Sequence, residues 1–145
     1  MRASCVLQVE DDDNDIVLLQ YAFKQAGAPK PLQPVRDGTE AIEYLAGAGR
    51  FADRGQFPLP CLVLLDLKLP GKSGLGVLIW IRQNSQVQEL PVMILTSSAR
   101  PEDIHAAYRA GANAYLVKPS SASELLEMVK ALATFWLRHN QLPPE

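Results

Sequence analysis

Short apolar runs alternate with segments of helical period along the whole chain. Val6 to Val9 is the first run and predicts a strand. Over residues 14–26, Ile16, Leu19, Phe23 and Ala26 share one stripe and Gly27 follows, which predicts a helix and its stop. Leu32 to Arg36 predicts a weaker strand, because Pro31 and Pro34 interrupt a ladder and suit a sheet edge. Asp37-Gly38-Thr39-Glu40 has the form of a helix start, with Asp37 as N-cap and Glu40 at the third helical position. Ala41, Ile42 and Leu45 are the apolar residues of that helix. Cys61 to Leu65 and Pro91 to Leu95 are continuously apolar, as central parallel strands are. Between them, residues 74–84 predict a helix with Leu75, Leu78, Ile79 and Arg82 in register. Residues 101–110 predict a short helix, opened near Pro101 and closed by Gly111. Ala114 to Val117 is the last strand. Ser121-Ala122-Ser123-Glu124 is a capping-box pattern that opens a final helix, whose stripe is Leu125, Val129, Leu132 and Trp136.

The order is strand then helix, five times, with no internal repeat and no low-complexity segment. That alternation predicts an α/β fold, a parallel sheet with helices on both faces. Right-handed crossovers leave few topologies, and ligands in such doubly wound sheets bind outside the carboxyl ends of the strands. Residues 47–60, with three glycines, two prolines, Arg50, Asp53 and Arg54, read as a long loop with a local role or mobility.

Composition narrows the function. The 145 residues suit one domain, and 48% apolar with 21% charged residues is ordinary for a globular protein. A net charge of −2 argues against a dedicated nucleic-acid binder and against disorder. No apolar stretch is long enough to span a bilayer, and the amino terminus lacks a signal-peptide core, so the expected compartment is the cytoplasm. Cys5 and Cys61 each open an apolar run and read as small buried hydrophobes rather than a disulfide. The charge is uneven, however. Glu10, Asp11, Asp12, Asp13 and Asp15 place five of the 16 acids within six residues, and the other 11 acids face 14 bases.

Chemistry-bearing residues follow the strands. Glu10 and Asp11 follow the first, Asp66 the third, Thr96 the fourth, and Lys118 the fifth. Each is placed by the apolar run before it, so all five converge on one edge of the sheet. Three crowded carboxylates need a cation, and a hard divalent ion such as Mg²⁺ needs only one or two of them directly. A plain salt bridge between Lys118 and one acid would explain two residues and leave Thr96 and the other carboxylates without a reason. An aspartate beside a divalent ion, a lysine and a hydroxyl is suited to accepting a phosphoryl group.

The motifs Val9-Glu10-Asp11, Leu64-Leu65-Asp66-Leu67-Lys68-Leu69-Pro70-Gly71, Ile94-Leu95-Thr96-Ser97-Ser98 and Tyr115-Leu116-Val117-Lys118-Pro119 stand in order at family spacing. With them the chain resembles a response-regulator receiver domain, the chemotaxis-type (CheY-like, flavodoxin-like) module of two-component signalling. The resemblance runs from about Val6 to Trp136. It implies a five-stranded doubly wound sheet of strand order 2-1-3-4-5 with five helices, in one receiver domain over 1–145 (core about 4–138) and without an output domain. It implies Asp66 as phosphoacceptor, Mg²⁺ as cofactor, and a histidine kinase as partner. Metal ligation falls to Asp11 directly, Glu10 through water, Asp66, and the backbone carbonyl of Lys68. Thr96 would move to the phosphoryl group, Lys118 would pair with it, and Tyr115 matches the aromatic switch position. Tyr115 also reads as an ordinary half-buried strand tyrosine. Lys68 and Ser98 match the positions that tune dephosphorylation, and Ser97 fits a slot usually small. Asp12, Asp13 and Asp15 suit the amino end of the first helix, with metal binding by Asp12 as a lesser alternative.

The loop Arg50 to Gly55, the tail Phe135-Trp136-Leu137 and Leu142-Pro143-Pro144 resemble the single-domain regulators paired with phytochrome-type histidine kinases. That subgroup implies a homodimer through the face of the fourth helix, fifth strand and fifth helix. Trp136 suits such an interface and equally suits packing against the sheet. Two other functions compete. An aspartyl-phosphate phosphohydrolase would carry a second Asp two residues after the nucleophile, where this chain has Lys68. A receiver scaffold that only binds would not need every one of these positions filled. A flavin site lacks a phosphate loop after the first strand.

Overall fold

The computed structural model of the chain describes residues 4–144. Five parallel strands, β1 (Cys5–Val9), β2 (Leu32–Val35), β3 (Pro60–Leu65), β4 (Val92–Thr96) and β5 (Ala114–Val117), pair in the order β2-β1-β3-β4-β5. Five helices alternate with them: α1 (Asp13–Gln25), α2 (Gly38–Ala46), α3 (Gly74–Gln83), α4 (Pro101–Ala110) and α5 (Ala122–Leu132). This is the expected CheY-like architecture. No described helix is long and apolar enough to cross a membrane.

Strand parity divides the core, since alternate side chains leave opposite faces of a sheet. Leu7, Val9, Val63, Leu65 and Ile94 join Val77, Leu78 and Ile81 of α3 and Ala41, Tyr44 and Leu45 of α2 on one face. Val6, Leu62, Leu64, Met93 and Leu95 join Leu19, Ala22 and Phe23 of α1 and Val129 and Leu132 of α5 on the other. Continuous apolar runs in β3 and β4 are therefore covered on both sides, which only a central parallel strand requires. β2 and β5 are the edges, and Pro34 sits in β2 where an edge tolerates it.

The helix starts follow the chain's capping residues. Asp37 accepts from the Glu40 N–H at 2.7 Å, and Ser121 accepts from the Glu124 N–H at 3.2 Å. Asp12 caps α1 by accepting from the Asp15 N–H at 3.0 Å. Each such cap is worth about 1 kcal/mol. Gly111 ends α4 at φ 107°, the left-handed region where a glycine carries no Cβ penalty.

One expectation changes, and two readings left open gain structural detail. The stripe of α3 is rotated: Val77, Leu78 and Ile81 are buried, while Ile79 is 41% exposed. Nearly every residue from Leu75 to Ile81 is apolar, so the sequence carried no phase there, and the docking of α3 on the sheet chose it. Arg82 is half-buried and donates to the carbonyls of Gln88, Leu90 and Gly111, binding α3 to the segments that enter β4 and β5. The loop 47–60 has a local structural role. Phe57 meets both Phe51 and Tyr44 edge-on, Phe51 packs on Tyr44 at a tilt, and Arg54 donates to the carbonyls of Tyr44, Leu45 and Phe57. Arg54 thereby supplies donors to carbonyls at the end of α2. Trp136, on the π-helical continuation of α5 (Ala133–His139), packs on the α1–α5 side of the core, while Phe135 is 55% exposed.

Candidate functional site

The parity that divides the core also builds the site. Gln8 and Glu10 share the β1 face that looks toward α1 and α5, and Leu116 and Lys118 share the same face of β5. Lys118 therefore reaches across the carboxyl ends of the strands. Its ammonium donates to Glu10 Oε1 at 2.6 Å, to Asp15 Oδ2 at 2.8 Å and to Asp66 Oδ2 at 2.8 Å. The second oxygen of Asp66 accepts from the Thr96 hydroxyl at 2.9 Å and from the Lys68 N–H at 3.2 Å. Glu10, Asp66 and Thr96 are buried, at 4%, 7% and 0% exposure.

Backbone packing fixes Asp66 from below. A Cβ on Gly74, at the start of α3, would lie 2.0 Å from the Asp66 carbonyl oxygen. The close approach of α3 to the carboxyl end of β3 therefore depends on that glycine.

Electrostatics set the carboxyls apart. Burial works to raise Asp66, but the Lys118 hydrogen bond and charge, with the Lys68 N–H and Thr96 hydroxyl, outweigh it and hold the carboxyl below its ordinary value. Glu10 is pushed up to about 7, first by burial and then by the Asp66 charge, against the opposing pull of Lys118 and the Asp12 N–H. Burial works against the charge of Lys118, yet its bonds to Asp15, Asp66 and Glu10 raise it above the usual lysine value. Three carboxylates share one ammonium, so the fully ionised cluster carries surplus negative charge.

This surplus has a pH signature. A carboxyl raised in the folded state contributes stability that is full below its unfolded value of 4.5 and lost as pH rises through about 7. Asp66, depressed, contributes stability that is lost only at acid pH, below its unfolded value of 3.8. In chelator, the melting midpoint is expected to be lower near about pH 8 than near about pH 5.5, and added Mg²⁺ should raise it chiefly at the higher pH. Thermal scans at both pH values check this; a midpoint that rises toward pH 8 without metal would contradict it.

The expected residues are not all in the cluster. Glu10, Asp66, Thr96, Lys118 and the Lys68 N–H are brought together. Asp11 is exposed at the end of β1 and lies outside the hydrogen-bonded cluster. Among the described residues no three His, Cys, Asp or Glu side chains are disposed as a full metal cage. A Mg²⁺-type ion does not need one, because one or two carboxylates with waters and phosphate oxygens suffice. The donor set is entirely hard oxygen with excess negative charge, which fits such an ion. Tyr115 is half-buried and its hydroxyl donates to the Ser98 carbonyl at 2.9 Å. The Ser98 hydroxyl is engaged with Asp103 on α4 through a short hydrogen bond. Asp13 pairs with Arg36, as an exposed helix-start acid.

Asp15 stands in the first turn of α1, as the sequence reading placed it, and has a second role there that the sequence reading missed. It is a full partner of Lys118. The signal was present: Asp15 stands four residues before Leu19 and seven before Ala22, both on the buried face of α1. Asp103 was also missed, and its tie to Ser98 depends on how the loop after β4 turns into α4. On the α1–α5 side, Gln8, Asp15, Leu18, Lys118 and Leu125 line a cavity of about 100 Å³. Gln8 Oε1, in that wall, is buried without a hydrogen-bond partner.

The model of the response regulator receiver domain family matches residues 6–130. The response regulator Rcp1 of Synechocystis sp. is 37% identical over 138 residues, covering 95% of this chain and 92% of the relative. A crystal structure of the response regulator RPA3017, in red light signalling of R. palustris, is 39% identical with a TM-score of 0.92, covering 98% of this chain and 99% of that one. The phosphorylated cyanobacterial phytochrome response regulator RcpA is 36% identical with a TM-score of 0.90, over 98% and 99% of the two chains.

Proposed function

Because this chain belongs to the response regulator receiver domain family, we propose that it takes a phosphoryl group from a histidine kinase onto Asp66 and changes partner affinity in response. The observation that carries this reading is the setting of Asp66: one oxygen is held by the Thr96 hydroxyl and the other by the Lys118 ammonium. In the transfer, an Asp66 oxygen attacks phosphorus and the P–N bond of a phosphohistidine breaks. The imidazole leaves with the bonding pair, and an acyl phosphate remains on Asp66.

The chain's own residues divide the work. Lys118 offsets charge on the phosphoryl oxygens, and Thr96 supplies a hydroxyl donor to one of them. The Lys68 N–H orients the Asp66 oxygen it already binds. A divalent ion, Mg²⁺ in this proposal, would be held by Glu10, Asp11, Asp66 and the Lys68 carbonyl. When bound, it neutralises charge on the transferring group.

The switch runs from Thr96 to Tyr115. Thr96 is two residues before Ser98, whose carbonyl accepts from Tyr115. A shift of Thr96 toward a phosphoryl group therefore pulls on the bond that ties β5 to the loop after β4. Lys68, whose N–H binds the acceptor, and Ser98, in the loop after β4, are the proposed tuners of dephosphorylation. The face that reads the change is α4, β5 and α5, where Tyr108 and Val117 are 50% and 39% exposed. A second copy of the chain docking there is the proposed homodimer.

Similarity to Rcp1, RcpA and RPA3017 supports a phytochrome-type kinase as donor. Phosphotransfer from an autophosphorylated phytochrome-type kinase is expected to outrun transfer from unrelated histidine kinases by at least about tenfold, a margin of about 1.4 kcal/mol in the barrier. Equal rates across such a panel would contradict the pairing. A sizing run on the same samples should show growth on phosphorylation; a monomer in both states would remove the dimer.

A further inference from the structure

We propose that Asp15 is a positioning residue for Lys118: its carboxylate anchors the ammonium from α1 and lets go when Lys118 binds a phosphoryl group on Asp66. The inference rests on the phosphoacceptor reading of Asp66 and adds to it a residue outside the motifs that carry that reading.

An ammonium has three donors. In this structure Glu10, Asp15 and Asp66 take one each, at 2.6, 2.8 and 2.8 Å. A phosphoryl oxygen can receive a hydrogen bond from Lys118 only by displacing one of the three. The partners differ in what their release would leave behind. The Glu10 side chain is 5% exposed, and releasing it would strand a buried carboxylate. Asp66 is the residue that carries the new group, so its side of the ammonium stays engaged. The Asp15 side chain is 37% exposed, and water can replace the ammonium there. Asp15 also stands in the first turn of α1, where the helix amino terminus favours a negative charge without any partner. Asp15 is therefore the partner released at least cost.

The surroundings allow the exchange. The cavity of about 100 Å³ between α1 and α5 borders both Asp15 and Lys118, which leaves room beside the pair for water to enter. The consequence reaches beyond the site. The Lys118–Asp15 bond joins the end of β5 to the start of α1, so phosphorylation would loosen a tie between two elements on the α1–α5 side. It brings in α1, which is not part of the α4, β5 and α5 face that Tyr115 addresses.

The test uses the full chain with Mg²⁺ and beryllofluoride as the phosphoryl mimic, titrated by calorimetry. Asp15→Asn removes the anchor's charge and keeps the backbone N–H that Asp12 caps. It is expected to tighten beryllofluoride binding by about two- to five-fold, the worth of a partly exposed ion pair. Asp15→Glu restores the charge and should return the affinity toward that of the natural chain. A residue that only supported the helix would not show gain with Asn and reversal with Glu. Natural-chain binding with an unchanged or weakened Asp15→Asn variant would overturn the anchor while leaving the Asp66 reading in place. Failure of the natural chain itself to bind the mimic would overturn both.

Discussion

Asp66→Ala is expected to reduce phosphoryl uptake from a small phosphodonor, such as phosphoramidate with Mg²⁺, to background. The substitution removes the nucleophilic oxygen and leaves the rest of the cluster in place. Lys118 keeps Glu10 and Asp15, so the ammonium is not stranded. Thr96 loses an acceptor in a fully buried position, which costs about 1–3 kcal/mol of stability and does not by itself unfold a domain of this size. The measurement is intact mass after incubation, with circular dichroism to show that the fold persists. Undiminished acid-labile phosphorylation in the folded variant would contradict the assignment of Asp66.

Lys118→Met is expected to have the second large effect, on stability as well as chemistry. It leaves Glu10, Asp15 and Asp66 facing one another with no ammonium, two of them at 5% and 8% side-chain exposure. Removing one partner of a buried charge cluster costs on the order of 3–5 kcal/mol. The cost should depend on pH in a definite direction. Without Lys118, the folded-state values of Glu10 and Asp66 both move up, because burial and mutual repulsion are no longer opposed. Groups raised in this way are least destabilising when protonated, so the deficit shrinks as pH falls. Urea unfolding in chelator should show a large deficit near about pH 8 and a small one near about pH 5.5. A deficit that is the same at both would contradict the three-carboxylate account. Phosphoryl uptake should fall as well, since the charge on the transferring oxygens loses its offset.

The two variants bear on how the site is encoded. Its strand-end members were legible because a continuously apolar run fixes where a parallel strand ends, and the next residue then has a known address. Asp66 after Leu65 and Lys118 after Val117 stand where that rule puts them, while Thr96 is the last residue of β4 and not the first after it. The five-strand order followed from the same alternation, together with the resemblance its motifs carried. What escaped depended on rotation or on loops. Asp15 needed the phase of α1 to be read through to its first turn. The α3 stripe needed a phase that a helix apolar nearly all round does not supply. Arg54, Arg82 and Asp103 act through backbone carbonyls or a loop hydroxyl brought near by the fold, and no periodicity marks such partners.

The acid cluster at the chain's start is thereby divided, each acid having its own place. Glu10 is buried beside Asp66, Asp12 caps α1, Asp13 pairs on the surface with Arg36, and Asp15 holds Lys118. Asp11, exposed at the end of β1, is the remaining acid and the proposed direct ligand of the divalent ion. The surplus charge of the cluster, rather than the near-neutral total of the chain, is what the proposed ion would offset.

The central claim is an acyl phosphate on Asp66, and chemical mapping tests it most directly. The natural chain is phosphorylated with phosphoramidate and Mg²⁺, then treated with borohydride, which reduces an acyl phosphate to an alcohol. Peptide mass mapping should find homoserine at position 66 and at no other aspartate, and only in the samples given both donor and metal. Homoserine at another position, or a phosphoryl group that survives borohydride unchanged on a serine, threonine or histidine, would contradict the account.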